Sequence, residues 1–295
     1  MTATTRVAVV RAMMHQAVDY AGLFPPAALG MEAAVRNFDA YRRGPYAWML
    51  GRFVLPVARL EELAAAYATA PVTGGTPWPL SVIARVADAP AIAAFNVRYG
   101  ARFRIDTIEA PPAAVSELAA LGDLAALYAI YVEVGAAREP APVIAELARR
   151  GLRAKVRTGG VTPDAIPPAR DVACFIAACH AARVPFKATA GLHHAWRAEY
   201  ALTYAPDAPR SAMFGFANVL LADAAAVGGA SPDELATILT AAEDAFVLGD
   251  GGVLLPSGRA VPVALIEAAR AGGLQSFGSC SFDEPVAELI ERGLL

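Results

Sequence analysis

Residues 152–194, LRAKVRTGGVTPDAIPPARDVACFIAACHAARVPFKATAGLHH, decide the fold. A strand is predicted over 152–157, followed by a turn at Gly159 and Gly160, because glycine permits tight backbone bends. A helix is predicted over 171–183 and a second strand over 184–189, since apolar residues recur first at helical spacing and then in a short run. A strand, a helix and a strand joined by a short crossover predict a parallel βαβ unit.

The same alternation of strands and helices continues on both sides of this unit. Further strands are predicted over 48–55, 80–85, 102–108, 127–134 and 274–279. The regular spacing predicts an α/β fold, a single-domain (β/α)8 TIM-like barrel. An open, doubly wound sheet is the alternative architecture. No G-x-G-x-x-G motif follows the first of these strands, which disfavours a dinucleotide-binding version of that sheet.

Two parts of the chain depart from the alternation. Residues 1–47 are predicted to be an N-terminal helical extension, with helices over 6–20 and 31–43, preceding a barrel over 48–295. The turn-rich loop over 19–26 is either a lid or a plain connector. After residue 194 the pattern becomes irregular, and the seventh barrel strand is expected as a strand or a hairpin within 245–255.

Composition restricts the class of protein. The 295 residues are 56% hydrophobic and 18% charged, which is enough apolar material for a core, and the net charge of −3 with no basic run disfavours nucleic acid as a partner. Arg6 and Arg11 interrupt the first apolar residues, and no uncharged apolar run approaches about 18 residues, so neither a signal peptide nor a membrane partner is expected. Three cysteines suit a reducing cytoplasm. A homo-oligomer is compatible with the sequence.

The lysines are the most informative residues for function. The chain has 25 lysines and arginines, and only Lys155 and Lys187 are lysines. Arginine cannot lose its proton in a protein, whereas a buried lysine can. Two lysines at the ends of neighbouring strands therefore indicate work that a guanidinium cannot do, as a nucleophile, a Schiff base or a general base. A lysine paired with a carboxylate in a polar barrel centre is the structural alternative.

Polar residues collect at the predicted carboxyl ends of the strands, where catalytic groups of such barrels lie. These residues are Arg85, Asp106, Glu109, Glu133, Lys155, Arg157, Lys187, His193 and His194. Glu133 would be costly to bury alone, so Lys155 or Lys187 is its expected counter-ion. Two lysines that face each other across a closed barrel would lower each other's pKa and favour the reactive neutral amine.

Small-residue turns and histidines add binding groups. The turns Thr158-Gly159-Gly160 and Gly278-Ser279-Cys280-Ser281 could hold a carboxylate or phosphate through backbone N–H groups. His193 and His194 could supply acid–base catalysis, although adjacent residues of an extended segment point to opposite sides. No cofactor is expected. The alternative is a divalent metal ion held by Glu133, Asp106 and one histidine.

Four short segments resemble class I aldolases of the deoxyribose-phosphate aldolase type. They are YGARFRIDTI (99–108), RTG (157–159), FKATAG (186–191) and QSFGS (275–279). The resemblance implies a barrel in which Lys187 forms a Schiff base and Asp106 shuttles protons. The chain differs from the family at residue 157, where arginine replaces glutamate, and it lacks the family's second lysine on the next strand.

The leading hypothesis is therefore an aldolase-like lyase acting on a small anionic carbonyl compound. Lys187 would be the nucleophilic amine, Lys155 would tune it, and Glu133 or Asp106 would move protons. Arg157 and Arg85 would hold the anionic group of the substrate bidentately. The alternatives are a metal-dependent, enolase-like lyase or isomerase and a non-catalytic binder of a small carboxylate or phosphate metabolite.

Overall fold

The computed structural model describes residues 3–72, 75–113, 115–136, 139–249 and 251–295. The strands are β1 (Val18–Tyr20), β2 (Leu50–Pro56), β3 (Trp78–Ile83), β4 (Phe103–Ala110), β5 (Ala129–Glu133), β6 (Arg153–Arg157), β7 (Phe186–Thr189), β8 (Ala198–Ala201), β9 (Arg210–Met213), β10 (Val247–Gly249), β11 (Gly252–Leu254), β12 (Ala260–Pro262) and β13 (Leu274–Ser279). The helices are α1 (Ala3–Met14), α2 (Met31–Arg43), α3 (Leu60–Thr69), α4 (Ala89–Tyr99), α5 (Val115–Leu124), α6 (Ala141–Arg149), α7 (Ala169–Ala182), α8 (Phe216–Val227), α9 (Pro232–Thr240), α10 (Val263–Gly272) and α11 (Asp283–Glu291).

Eight of the strands form a closed barrel, in the order β1-β13-β7-β6-β5-β4-β3-β2. Every pairing around it is parallel. Parallel neighbours need crossover connections, and here helices supply most of them and cover the outside of the sheet. The prediction of an α/β fold with a (β/α)8 TIM-like barrel is confirmed. Each helix among the described residues is too short or too polar to cross a bilayer.

The first barrel strand lies earlier in the chain than we predict. The helix expected over 6–20 ends at Met14, and Val18–Tyr20 forms β1, which pairs with β2 and β13 and closes the barrel. Three residues are too few to show the alternating pattern of a strand. The segment over 1–47 thus supplies a barrel strand as well as helices, and the strand expected over 48–55 is the second of the barrel.

We expected the seventh barrel strand within 245–255, but the structure does not place it there. That segment contains β10 and β11, which pair with β12 in a separate antiparallel sheet. Counted from β1, the seventh barrel strand is β7 and the eighth is β13, which occupies the predicted 274–279. The irregular last third is therefore an insertion between two neighbouring barrel strands.

The outer face of the barrel is apolar and its interior is polar. Phe186 on β7 packs edge-on against Phe175 of α7, with ring centroids 5.4 Å apart. Burial of such a side chain contributes about 1.5–3 kcal/mol. Because side chains alternate along a strand, the next residue, Lys187, points to the barrel axis. Branched apolar residues usually fill that space, so charges there mark a functional or ion-paired interior.

Candidate active site at the carboxyl ends of the barrel strands

Five charged side chains alternate in sign across the barrel interior, and we call them the charge network. Lys187 Nζ lies 2.5 Å from Oδ2 of Asp19 and 2.6 Å from Oε1 of Glu109. Lys155 Nζ lies 3.3 Å from Oε2 of Glu109 and 3.1 Å from Oε2 of Glu133. The order Asp19–Lys187–Glu109–Lys155–Glu133 places each ammonium between two carboxylates.

The register of the sheet builds this arrangement. Glu133 on β5 is level with Lys155 on β6, and Lys155 is level with Lys187 on β7. Residues at one level of neighbouring parallel strands point the same way, so these three side chains enter the barrel together. The sequence prediction that they share one site agrees with this placement.

Asp19 completes the network and is held by other strands. Ser276 Oγ donates to its Oδ2 at 2.7 Å, and the backbone N–H of Arg52 donates to its Oδ1 at 2.7 Å. A Cβ at Gly51 would lie 2.2 Å from Oδ1, so the neighbouring strand must carry glycine there. On the opposite side, Ser81 Oγ donates to Oε1 of Glu109 at 2.7 Å.

The electrostatics keep Lys187 protonated. Burial lowers the pKa of Lys187, but Asp19 and Glu109 outweigh burial and raise it above its ordinary value. Burial likewise raises the pKa of Glu109, yet Lys187 and Lys155 lower it to about 2. The expectation that facing lysines would depress each other's pKa is wrong for Lys187, because carboxylates from β1 and β4 lie against it.

A cavity of about 330 Å³ opens at the carboxyl ends of the strands. Glu109 and Lys155 line it, Arg157 lies at its exposed rim, and Lys187 is not part of its lining. Phe24, Pro25 and Pro26 of the loop after β1 also line it, so the loop that we expected as a lid or a connector forms part of the wall. Arg157 sits two residues beyond Lys155 on β6, so the two side chains leave the same face of the strand.

The predicted binding turns divide into supporting and lining residues. Thr158 Oγ1 donates to the carbonyl of Ala190 at 2.7 Å, which ties the loop after β6 to the loop after β7. A Cβ at Gly159 would lie 3.0 Å from the Cα of Gly191, so Gly159 permits the two loops to meet. Gly160 and Gly278 line the cavity.

A second group of reactive side chains lies on the cavity wall, around His193. Its Nδ1 lies 3.3 Å from Ser279 Oγ, 3.6 Å from Cys280 Sγ and 3.5 Å from Oε2 of Glu284. Burial, with a contribution from His194, lowers the pKa of His193 to about 4. Burial also raises the pKa of the Cys280 thiol. A neutral imidazole and a protonated thiol therefore face the cavity at neutral pH.

Three predicted site residues lie elsewhere. Asp106 pairs with Arg52 at 2.7 Å and lies three residues before Glu109 on β4, toward the amino end of the barrel. His194 Nδ1 lies 2.5 Å from Oε1 of Glu288, and its ring stacks on Tyr200 at 3.5 Å, outside the cavity lining. Arg85 is exposed after β3 and does not line the cavity.

Sequence reasoning missed Asp19 and undervalued Glu109. Asp19 lies where the helix predicted over 6–20 meets the loop over 19–26, so nothing in the local pattern marks it as a barrel residue. Glu109 is among the polar residues near the predicted end of the strand, but the aldolase resemblance points to Asp106 instead. A register irregularity between β3 and β4 precedes Glu109, and such a shift cannot be seen in the sequence of one strand.

The described residues contain no group of three His, Cys, Asp or Glu side chains placed to hold a metal ion. In the charge network an ammonium lies between Asp19 and Glu109 and another between Glu109 and Glu133. The metal set expected from Glu133, Asp106 and a histidine is not assembled, since Asp106 is bound to Arg52.

No known protein family and no curated protein matches the sequence. Among solved structures, a lysine/ornithine decarboxylase from Vibrio vulnificus, complexed with cadaverine, is similar over 63% of this chain, at 13% identity and a TM-score of 0.36. The match spans about half of that protein, 49% of its chain. The closed parallel barrel itself shows the fold.

Proposed function

We propose that the protein is an enzyme, a lyase that acts on a small anionic carbonyl compound through the amine of Lys155. The observation that carries the proposal is the position of Lys155: its side chain lines the cavity while its Nζ lies 3.1 Å from the carboxylate of Glu133. Lys187, the amine suggested by the aldolase resemblance, lies outside the lining between two carboxylates. The geometry therefore favours Lys155 for contact with substrate.

The chemistry requires a proton acceptor beside the amine. An ammonium must lose a proton before it can add to a carbonyl carbon. Glu133 is adjacent to Lys155 and its side chain is 21% exposed, so it can take that proton and return it to the hydroxyl that leaves as water. The resulting iminium accepts the electron pair of the carbon–carbon bond that breaks and becomes an enamine, while Glu133 takes the proton of the hydroxyl on the departing carbon, which leaves as a carbonyl compound. Glu133 then returns that proton to the enamine carbon, and water hydrolyses the iminium to free Lys155. Glu109 stays ionised beside the developing positive charge.

Arg157 supplies recognition of the anionic group. Its guanidinium has the planar fork that binds a carboxylate or phosphate with two parallel hydrogen bonds. It lies at the rim of the cavity on the same strand as Lys155. In this proposal Lys187 is a positioning residue, because its ammonium lies between Asp19 and Glu109 and holds both carboxylates in place.

Borohydride trapping tests the proposal directly. The protein would be incubated with pyruvate, glyoxylate and glyceraldehyde 3-phosphate in turn, reduced, digested and mapped by mass spectrometry. We expect an adduct on Lys155 and none in the Lys155→Arg variant. Arg157→Gln should raise the concentration of probe needed for half-maximal labelling, with labelling still on Lys155. Absence of label from both lysines with all three probes would refute amine catalysis.

One observation favours a second candidate, a non-catalytic binder. Both ammonium groups already lie against carboxylates, as in a purely structural ion-pair network. A binder needs positive charge and not a neutral amine, so Lys155→Arg should then retain affinity for pyruvate in calorimetry. If the native protein is trapped and the Lys155→Arg variant keeps its affinity but is not trapped, the chemistry belongs to the amine.

For the metal-dependent alternative, elemental analysis of untreated protein supplies the corresponding test.

A further inference from the structure

A second cavity, of about 370 Å³, lies at the opposite, amino-terminal end of the barrel. Side chains near the starts of the strands line it, together with Arg270 of α10 and His15 after α1. Three arginines are among the lining residues: Arg52 of β2, Arg153 of β6 and Arg270. We call it the lower pocket. It shares no lining residue with the candidate active site, so its role is independent of the proposed function.

The positive charge in the lower pocket is only partly neutralised. Arg52 is paired with Asp106 at 2.7 Å. Arg153 donates instead to the hydroxyl of Tyr131 at 3.0 Å, and Arg270 donates to the backbone carbonyls of Leu274 and His15. Within the part of the chain that the structure describes, no carboxylate oxygen lies within 4.0 Å of the guanidinium nitrogens of Arg153 or Arg270.

Arg270 has the least satisfied guanidinium of this pocket. Its Nε is buried and has no hydrogen-bond partner. A buried cation without a directly bonded counter-ion is costly, and proteins normally pair it. Burial lowers the pKa of Arg270, and the nearby carboxylates of Asp223 and Asp19 offset that effect only in part. Elsewhere in this chain the partly exposed Arg259 forks onto Glu234, with Nε and Nη2 at 2.7 and 2.9 Å from the two carboxylate oxygens. An anion from solution would supply the same partner to Arg270.

We propose that the lower pocket binds a small, multiply charged oxyanion, either a phosphate ester or a polycarboxylate, between Arg153 and Arg270. Two guanidinium forks match the planar oxygen pairs of such groups. The hydroxyl of Tyr131 accepts from Arg153, so its own hydrogen is free to donate to the anion. The volume exceeds that of a single phosphate group, which favours an organic anion.

Tyr131 separates the two compartments of the barrel. Lys187 Nζ lies 5.3 Å from the centroid of its ring, and Cζ of Arg153 lies 5.4 Å from the same centroid. Tyr131 is level with Arg153, whereas Glu133 and Lys155 of the charge network are level with each other two residues further toward the carboxyl ends of the strands. An anion bound to Arg153 would therefore lie toward the amino ends of the strands and would not block the upper cavity.

Titration calorimetry at low ionic strength tests the proposal, with pyrophosphate and citrate as probes. We expect saturable binding of at least one probe, weakened at least tenfold in Arg153→Gln and less in Arg153→Lys. The preferred probe identifies phosphate or carboxylate as the recognised group. Arg36→Gln is the matched control, because it removes the same charge from an exposed helix position and should leave affinity unchanged.

Arg157→Gln distinguishes the two ends of the barrel. Binding in the lower pocket should survive this change, whereas binding only at the active-site rim should disappear. Arg270→Gln should also weaken binding. Because Arg270 donates to two backbone carbonyls, the Arg270→Gln variant can fail to fold, and the Arg153 variants then decide the test. The proposal is overturned if neither probe binds saturably, if Arg36→Gln weakens binding as much as Arg153→Gln, or if Arg157→Gln abolishes all binding.

Discussion

Replacement of Lys187 by methionine tests the charge network most directly. Methionine has a similar shape, so little is lost in packing. The change removes an ammonium that lies 2.5 Å from Asp19 and 2.6 Å from Glu109, both of which are buried. Breaking a buried ion pair by removing one partner costs about 3–5 kcal/mol.

The pKa of Glu109 gives a second figure for the free energy that this ion pair contributes. Its fall from 4.5 to about 2 corresponds to about 3 kcal/mol of favourable interaction with the charged form, at about 1.4 kcal/mol per unit. Lys155 shares in that interaction, but Asp19 also loses its ammonium in the variant. We therefore expect the free energy of unfolding to fall by about 3–5 kcal/mol at pH 7.

The pH dependence has a defined sign. In the native protein the pKa of Glu109 is depressed, so its contribution to stability is fully present above about pH 4.5 and is lost as the pH falls toward 2. In Lys187→Met the buried carboxylates lack that ammonium, and the folded state takes up protons more readily than the unfolded chain. The stability of the variant should therefore rise between pH 7 and pH 5, and its difference from the native protein should shrink.

Guanidinium denaturation followed by circular dichroism at pH 7 and pH 5 measures both effects. Lys155→Met is the matched control, and its loss should be smaller. Glu109 would keep Lys187 at 2.6 Å, and the partly exposed Glu133 would remain hydrated. A loss in Lys187→Met of less than about 1 kcal/mol at pH 7, or one no larger than in the control, would refute the reasoning.

Three further predictions concern the surroundings of the site. Gly51→Ala should lower the free energy of unfolding by at least about 2 kcal/mol in thermal denaturation, because its Cβ would lie 2.2 Å from the carboxylate of buried Asp19. Cys280 should react with iodoacetamide at pH 7 about tenfold more slowly than a free thiol, as followed by mass spectrometry, because burial raises its pKa. Glu288→Gln should cost about 1–3 kcal/mol in urea denaturation at pH 7, since Glu288 lies 2.5 Å from Nδ1 of His194. Burial raises the pKa of Glu288, but His194, the backbone N–H of Ala195 and Arg292 together outweigh burial and lower it. The contribution of Glu288 to stability is therefore present above its unfolded pKa and is lost on acidification.

Each of these has a control within the chain. Gly272→Ala adds a methyl group where nothing lies within 4 Å, so equal destabilisation by both alanines would contradict the steric argument. Unfolded protein should be alkylated at the rate of a free thiol, and equally fast reaction of native Cys280 would show that burial does not protect it. Glu291→Gln changes an exposed glutamate of α11, and a loss as large as that in Glu288→Gln would point to net charge as the cause.

Much of the barrel could be predicted because its signals are local. The apolar runs of β2–β7 and β13, with helices between them, follow from residues close together in the chain. The grouping of Glu133, Lys155 and Lys187 could be predicted too, because neighbouring parallel strands end at the same edge. In contrast, β1 has three residues and carries no pattern of its own, so its place in the barrel depends on pairing with β2 and β13.

The choice of partners for the lysines belongs to the tertiary structure. The sequence alone singles out Lys155 and Lys187 by their rarity, and it determines that they lie on adjacent strands of one parallel sheet. Only closure of the barrel places Asp19, which lies near the start of the sequence, and Glu109 against Lys187. The physical reason is that Coulomb interactions depend on distance in space, whereas a sequence pattern records distance along the chain.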